Sequence, residues 1–235
     1  MAKTPLGKLA PRAIGMTELP RLEAKILAGF RELGDLTGTT SDALDECDIA
    51  GAVPASLLKP TTPGARIVGQ AITVLNRLVS ERRKVSGLAD IEAHNLAEPG
   101  DVLVVQGVPN ISSMGGISAS IGKRQGETGA IVDGAVRDVD HSRAIGYPIW
   151  SSSVSPITGK WRIETMAVND PVHIAGIEVR PGDLVIADEC GICFVPYARA
   201  AEVLAVAQRL AAAEAARLKA LAEGMPLAEF VKLPR

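Results

Sequence analysis

Gly129-Ala130-Ile131-Val132-Asp133-Gly134-Ala135-Val136-Arg137-Asp138 is the stretch around which this chain organises itself. Its apolar first half reads as a buried strand that stops at Asp133-Gly134, and three residues later an arginine and a carboxylate stand side by side. A guanidinium offers a planar fork to a carboxylate or keto acid, and an adjacent aspartate can hold a hard cation. Delivered off the end of a strand, the pair suggests a small site for an anionic substrate and a metal.

Outward from this stretch, Val/Ile-rich runs punctuated by Gly, Pro, Asn and Asp predict strands over 65–75, 102–106, 130–132, 148–151, 172–179, 184–187 and 192–195. Two of them follow an echo, Pro99-Gly100-Asp101 before one and Pro181-Gly182-Asp183 before the other. Pro-Gly at the centre of a type II turn explains both copies. Apolar spacing of three and four predicts an amphipathic helix over 17–33, ended by Gly34. A second, short helix is expected to start near Thr40-Ser41 and a third to open on two glycines over 115–125. An Ala-rich helix runs over 197–223 with the stripe Leu204, Ala207, Ala211, Glu214, Leu218 and Leu221. The mixture predicts an α/β domain over 17–225, preceded by a loose leader over 1–16 and followed by a tail over 226–235.

Composition narrows the function. With 235 residues, 47% hydrophobic, and a net charge of -2, the chain reads as a globular protein without the basic excess that nucleic acid requires. Aromatic residues make up only 3%, so the core must be aliphatic and base-stacking platforms are not expected. No run of apolar residues is long enough to span a membrane, and three cysteines fit a reducing cytoplasm better than a disulfide framework. There is no G-x-G-x-x-G after a strand, no phosphate-loop motif and no G-x-S-x-G, which disfavours dinucleotide, S-adenosylmethionine and α/β-hydrolase chemistry.

Taken alone, Arg137-Asp138 could be a surface ion pair at a turn, a contact worth little. The neighbouring Ser112-Ser113-Met114-Gly115-Gly116 raises the functional reading, because glycines at a helix start let amides approach an anion where the helix end is partly positive. Glu214 is odd on an apolar stripe, where an unpaired carboxylate is costly: either a cation or arginine pairs with it, or it faces a site, in a neighbouring subunit for instance, or the stripe is partly exposed there. Asp42 reads equally as a helix-start acid. Cys190-Gly191-Ile192-Cys193 lacks the second pair of a zinc ribbon and reads as small apolar residues flanking a strand. His94, His141 and His173 show no metal-ligand spacing.

The run from Pro99 through Gly115 and Lys123-Arg124-Gln125-Gly126 to Asp138, together with Val179-Arg180-Pro181-Gly182-Asp183 and the strand after it, resembles the RraA-like family. That family includes class II 4-hydroxy-4-methyl-2-oxoglutarate and 4-carboxy-4-hydroxy-2-oxoadipate aldolases, which also decarboxylate oxaloacetate, and non-catalytic inhibitors of ribonuclease E. The resemblance implies a compact β/β/α swivelling domain, assembled as a trimer or hexamer with sites between subunits. It implies that Gly115, Gly116, Ile117 and Ser118 form a substrate-binding backbone loop, that Arg137 binds substrate and that Asp138 holds a divalent cation, Mg²⁺ or Mn²⁺. Asp42 and Glu214 are the nearest matches to acidic residues supplied by a neighbouring subunit.

The expectation is therefore a cytoplasmic, metal-dependent lyase acting on a 2-oxo acid, by retro-aldol cleavage that releases pyruvate or by oxaloacetate decarboxylation. The alternative is a non-enzymatic regulator that binds a ribonuclease; retention of Asp138 argues against it. The loop of this chain reads Gly115-Gly116 where the aldolases commonly have Gly-Glu, and the segment 153–165, with Thr158-Gly159-Lys160-Trp161-Arg162, does not match them. Loops usually set substrate choice.

Overall fold

The computed structural model describes residues 3–82 and 84–233. The chain begins with α1 (Ala24–Arg31), α2 (Leu36–Glu46), the short β1 (Ala52–Pro54) and β2 (Lys59–Pro60), and the long β3 (Ile67–Leu78). It continues through α3 (Asp90–Leu96), β4 (Val102–Gln106), β5 (Ser112–Met114), α4 (Gly116–Gln125), β6 (Gly129–Val136), α5 (Val139–Ala144) and β7 (Ile149–Val154). The last third holds β8 (Ile163–Val168), the hairpin β9 (Val172–Ile174) and β10 (Ile177–Val179), then β11 (Leu184–Ala187), β12 (Gly191–Val195), α6 (Ala200–Ala222) and α7 (Leu227–Phe230).

The main sheet runs β1-β12-β11-β3-β4-β6-β7-β2, with β5 added on β6 and β8 on β3. β3, β4, β6 and β7 are parallel, while β11 and β12 run antiparallel to their neighbours. β3 joins the two halves. Its first residues, Ile67 to Gln70, pair with β11, and from Ala71 onward it pairs with β4. The two Pro-Gly-Asp turns precede β11 and β4, the two strands that flank β3. Gly100 and Gly182 sit at φ 96 and 89, as the third residue of a type II turn requires. In each turn the aspartate closes the loop by accepting an N–H from three residues back, Glu98 N to Asp101 Oδ2 and Arg180 N to Asp183 Oδ2, both 2.8 Å.

Alternate residues of each central strand enter different cores, because successive side chains point to opposite faces. Leu103 and Val105 of β4, with Ala130 and Val132 of β6, face α3 and α4. Val102, Val104 and Ile131 face inward instead, meeting Val185, Ala187, Ile192 and Phe194 from the other half of the sheet. Leu184, Ile186, Cys193 and Val195 turn outward to α1, α2 and α6. The domain is therefore layered helix, sheet, sheet, helix. Burial on both faces is why these strands are continuous apolar runs rather than alternating ones.

The predicted elements differ in physically informative ways. The helix expected over 17–33 shrinks to α1 because Pro20 removes an N–H and pushes Leu19 out of the helical region. The helix expected from Thr40-Ser41 begins earlier: Asp35 caps α2 by accepting Gly38 N–H, and Thr40 lies inside, its hydroxyl on Leu36 O at 2.7 Å. The strand over 172–179 is two strands, joined by a turn at Ala175 and Gly176 with positive φ at both. The strand expected to stop at Asp133-Gly134 instead runs on to Val136. A register shift against β7 between Val132 and Ala135 absorbs the polar pair, and Asp133 Oδ2 accepts Ala175 N–H at 2.7 Å. The 197–223 helix is confirmed as α6 after a single 3₁₀ turn, but Glu214, Leu218 and Leu221 are exposed. The leader, expected to be loose, is tied down. Leu6 N–H donates to the buried Glu92 at 2.7 Å, Lys8 N–H to the same carboxylate, and Gly15 N–H to Val168 O at 3.0 Å. In the C-terminal segment, the Arg217 guanidinium stacks 4.4 Å above the Phe230 ring.

Cys193 is 1% exposed and burial pushes its thiol up to about 12, while Cys190 stands in solvent; both are free. Cys190 lies in the bend just before β12 and Cys193 inside that buried strand. Among the described residues, no helix is long and apolar enough to cross a membrane.

Candidate active site

Three chain segments converge at the C-terminal ends of the parallel strands, the end at which open α/β sheets place their ligands. β5 leads through Gly115 into α4, and β6 ends in Arg137 and Asp138, the latter the residue before α5. The third segment is the 158–160 turn, bridged to Ser112 by Gly159 N–H on Ser112 O at 3.0 Å. Together they line a cleft of about 410 Å³ that contains Gly115, Gly116, Ile117, Ser118, Arg137 and Asp138. A second hollow adjoins it across the start of α4 and also includes Asp138, with Arg124 and His141.

Asp138 adopts the left-handed conformation, φ 56 and ψ 38. For a residue with a side chain this costs about 1–2 kcal/mol. What the conformation achieves is visible in the contacts. The carboxylate turns back onto α4, where Oδ2 accepts Gly116 N–H at 2.9 Å and lies 3.4 Å from Arg137 Nε. Gly115 and Gly116 permit that approach. A Cβ at Gly115 would stand 2.8 Å from Asp138 Oδ2 and 3.0 Å from Arg137 Nε, and one at Gly116 would stand 3.1 Å from His141 Cδ2. Gly115 has an extended φ of -143, so it is required by crowding and not by backbone conformation.

Arg137 and Asp138 are neither buried nor fully solvated, with side chains 43% and 47% exposed. Their pairing at 3.4 Å therefore adds little to stability; both groups face solvent within the cleft and can meet a ligand. The first turn of α4 adds donors. Gly116 N–H is spent on Asp138, whereas Ile117 and Ser118 N–H lie in the turn that has no intrahelical acceptor. An anion placed there meets two amides, a helix end and a guanidinium.

The expected residues thus separate into two groups. Gly115, Gly116, Ile117, Ser118, Arg137 and Asp138 come together in one cleft. Asp42 and Glu214 line a different one, with Asp35, Gly38, Thr39, Leu210 and Arg217, formed where α2 packs on α6. Within a single chain the two groups do not share a cavity.

Two further contributions were not predicted from sequence. Thr158, Gly159 and Lys160 form one wall, so the segment that departs from the aldolases is a wall of the cleft. Lys160 Nζ also lies 5.4 Å from the Trp161 ring centroid, a cation–π contact. Asp90, at the start of α3, lines the cleft opposite in sequence to everything the motifs marked. Ser118 Oγ donates to Asp90 Oδ2 at 2.6 Å, and behind Ser118 stands His94, Nε2 to Oγ 2.8 Å. Asp90 and His94 share one helix face at i and i+4, a spacing that could have flagged the pair.

Comparison with known proteins bears on the family of the chain. The RraA-like pattern, described as Aldolase/RraA, matches residues 37–194. A protein of Halalkalibacterium halodurans with the provisional name 4-hydroxy-4-methyl-2-oxoglutarate aldolase is 29% identical over 209 residues, covering 88% of this chain and 93% of its own. Among solved structures, an uncharacterized protein of Pseudomonas syringae pv. tomato superposes with a TM-score of 0.79 at 29% identity, covering 91% of this chain and 95% of that one. Streptomyces coelicolor RraAS2, titled an unusual member of the RNase ES inhibitor RraA protein family, superposes with a TM-score of 0.71 at 28% identity over 82% of this chain and 94% of its own. The pattern matched over residues 37–194 and the shared fold lead to one conclusion: this chain belongs to the RraA-like family.

Proposed function

We propose that the protein is an aldolase-type carbon–carbon lyase that cleaves a 4-hydroxy-2-oxo acid to release pyruvate, with oxaloacetate decarboxylation as a second reaction of the same site. The observation that carries the proposal is the convergence of Arg137, Asp138 and the α4 amides on one cleft. The aldolase name of the Halalkalibacterium halodurans relative supports it.

Both reactions pass through the enolate of pyruvate, so the site must bind a carboxylate and hold growing negative charge on the neighbouring oxygen. The Ile117 and Ser118 amides suit the carboxylate, and the Arg137 fork suits the keto oxygen as it becomes an enolate. Lys160 and Thr158, on the facing wall, meet the part of the substrate beyond the bond that breaks. They are where substrate choice is set.

A divalent cation fits the donors present. Among the described residues no cluster of three or more His, Cys, Asp or Glu could hold a metal. Asp138 alone is a hard oxygen ligand, and one carboxylate completed by water and substrate oxygens is a usual arrangement for Mg²⁺, not for a dedicated Zn²⁺ or Ca²⁺ cage. Bound there, Mg²⁺ or Mn²⁺ would supply Lewis-acid charge beside the keto oxygen. Asp42 and Glu214 are proposed to complete the site of a neighbouring subunit in a trimer or hexamer.

Pyruvate release from oxaloacetate, 4-hydroxy-4-methyl-2-oxoglutarate and 4-carboxy-4-hydroxy-2-oxoadipate, followed with lactate dehydrogenase in the presence of Mn²⁺, Mg²⁺ or chelator, tests the proposal. Turnover of at least one, lost with chelator and in Asp138→Ala, is expected. No turnover, or turnover indifferent to Asp138→Ala, sinks it, and ribonuclease binding by the inert protein would establish the regulator reading instead.

A further inference from the structure

A chain of polar side chains runs from the middle of the helical layer to the cleft wall. Tyr147 OH donates to Glu127 Oε2 at 2.6 Å, and Glu127 Oε1 meets His94 Nδ1 at 2.7 Å. His94 Nε2 meets Ser118 Oγ at 2.8 Å, and Ser118 Oγ donates to Asp90 Oδ2 at 2.6 Å. The side chains of His94 and Glu127 are 0% exposed, whereas that of Asp90 is 22% exposed and lines the cleft with Arg137 and Asp138.

Proton counting gives the chain a direction. Ser118 has one hydroxyl hydrogen and spends it on Asp90, so it accepts from His94 Nε2–H. Tyr147 keeps its hydrogen, since burial and then Glu127 hold its phenol well above the ordinary value, and donates to Glu127. One proton remains between His94 Nδ1 and Glu127 Oε1. If Glu127 holds it, every bond points toward Asp90; if His94 holds it, the His94–Glu127 bond alone is reversed, and in both cases Ser118 donates to Asp90, the last acceptor. A buried His–Glu pair is a poor way to stabilise a core that apolar side chains could fill. Here it locks the rotamer of a carboxylate in the cleft.

We propose that Asp90 is the proton-transfer group of the cleft, with Ser118, His94 and Glu127 as positioning residues. The inference rests on the retro-aldol reading above. In the forward direction Asp90 takes the proton of the substrate's 4-hydroxyl. The O–H electron pair becomes the new C4 carbonyl, the C3–C4 bond breaks, and its pair forms the C2–C3 double bond, leaving the enolate oxygen against Arg137. Asp90 then returns the same proton to C3, the C2 carbonyl re-forms, and pyruvate leaves with Asp90 again a carboxylate. No proton has to travel down the chain behind it, whose part is to hold Asp90 as an acceptor. Oxaloacetate lacks the hydroxyl, so its β-decarboxylation reaches the same enolate without any proton being removed.

That difference supplies the test. Asp90→Asn keeps an oxygen for Ser118 to donate to and is assayed with Mn²⁺ on 4-hydroxy-4-methyl-2-oxoglutarate and on oxaloacetate. The expected result is a kcat for aldol cleavage lower by about 10²–10⁴-fold, with a ratio of cleavage to decarboxylation lower by at least about 10². Ser118→Ala, which leaves Asp90 in place but unheld, is expected to lower kcat for cleavage by about tenfold and to displace the acid limb of its pH profile, with KM little changed. An unchanged ratio in Asp90→Asn together with an unmoved profile in Ser118→Ala overturns the assignment while leaving the aldolase standing. Wild-type protein inert on both substrates overturns the aldolase, and this role with it.

Discussion

Replacing Gly115 by alanine tests whether the close approach of Asp138 to α4 matters. The new Cβ would lie 2.8 Å from Asp138 Oδ2, whereas ordinary van der Waals contact begins at 3.4 Å, so the carboxylate must withdraw by about 0.6 Å. Withdrawal stretches its 2.9 Å bond to Gly116 N–H to the edge of hydrogen bonding and moves Arg137, whose Nε is 3.0 Å from the same Cβ. A misplacement of about 1 Å at reacting groups can cost about 10²-fold in rate, so kcat/KM for pyruvate release should fall by about 10- to 100-fold. Stability should barely change. The backbone at φ -143 and ψ -166 is one that alanine adopts freely. The reduced freedom of the unfolded chain favours alanine by about 0.4–1 kcal/mol, and the weakened hydrogen bond costs about as much. The assay is kcat/KM beside a thermal melt, with Tm expected within about 4 °C of wild type. Gly116→Ala is the internal comparison, because its Cβ meets His141 first and comes no nearer to Asp138 than 3.4 Å from its Cβ. It should be the milder substitution. Wild-type kcat/KM in Gly115→Ala would refute the idea that this contact sets up the site, and a large loss of Tm would show that the glycine serves packing instead.

Two further predictions concern stability. Burial alone would lower the pKa of His94, but its hydrogen bond to Glu127, the charge of Glu127 and that of Asp90 outweigh burial and raise it. A histidine whose folded pKa is raised stabilises fully below the unfolded value of about 6.5, and that stabilisation fades as pH rises through the folded value. The free energy of unfolding in urea should therefore decline as pH rises from about 6.5 through the folded value, and His94→Gln should flatten the decline. An identical slope in the variant contradicts a raised pKa. The paired turns make the other prediction: Gly100→Ala, with φ 96 and open space around it, should lose about 1–2 kcal/mol from backbone conformation alone. Gly182→Ala should lose more, since its Cβ would also press on Pro20 Cγ at 3.0 Å. Urea unfolding that ranks them oppositely, or shows no loss at Gly100, rules out the turn geometry.

The elements readable in the sequence were those whose signal is local. Val102–Gln106 and Leu184–Ala187 are bounded by Pro-Gly turns on one side and by a change of composition on the other, and the strands occupy those residues. The Ala-rich α6 and the glycine-opened α4 were likewise legible. Illegible were α3 and α5, of 7 and 6 residues, too short for an apolar period to declare itself, and the short β1, β2 and β5, which owe their existence to a partner edge. Asp133-Gly134 looked like a strand end because a polar pair in an apolar run is usually one. The strand continues because Ala175 N–H and the register shift against β7 accommodate it.

The site divides in the same way. The sequence by itself determined the chemistry available: an arginine and a carboxylate adjacent at a strand exit, and two glycines whose lack of side chains admits them. Adjacency in the chain is enough for that, because Arg137 and Asp138 cannot be far apart. Tertiary structure alone decided what stands around them. Asp90, Ser118, His94 and Glu127 fall in three separate segments, and only the packing of α3 against α4 brings Asp90 and His94 to Ser118. Asp42 and Glu214, which the resemblance matched to acidic residues supplied by a neighbouring subunit, lie in another cleft of the same chain, where α2 packs on α6. A carboxylate's chemistry is a property of its residue type. Its partners are a property of the fold, because hydrogen bonds a few ångströms long are made between whichever segments the buried apolar faces bring together.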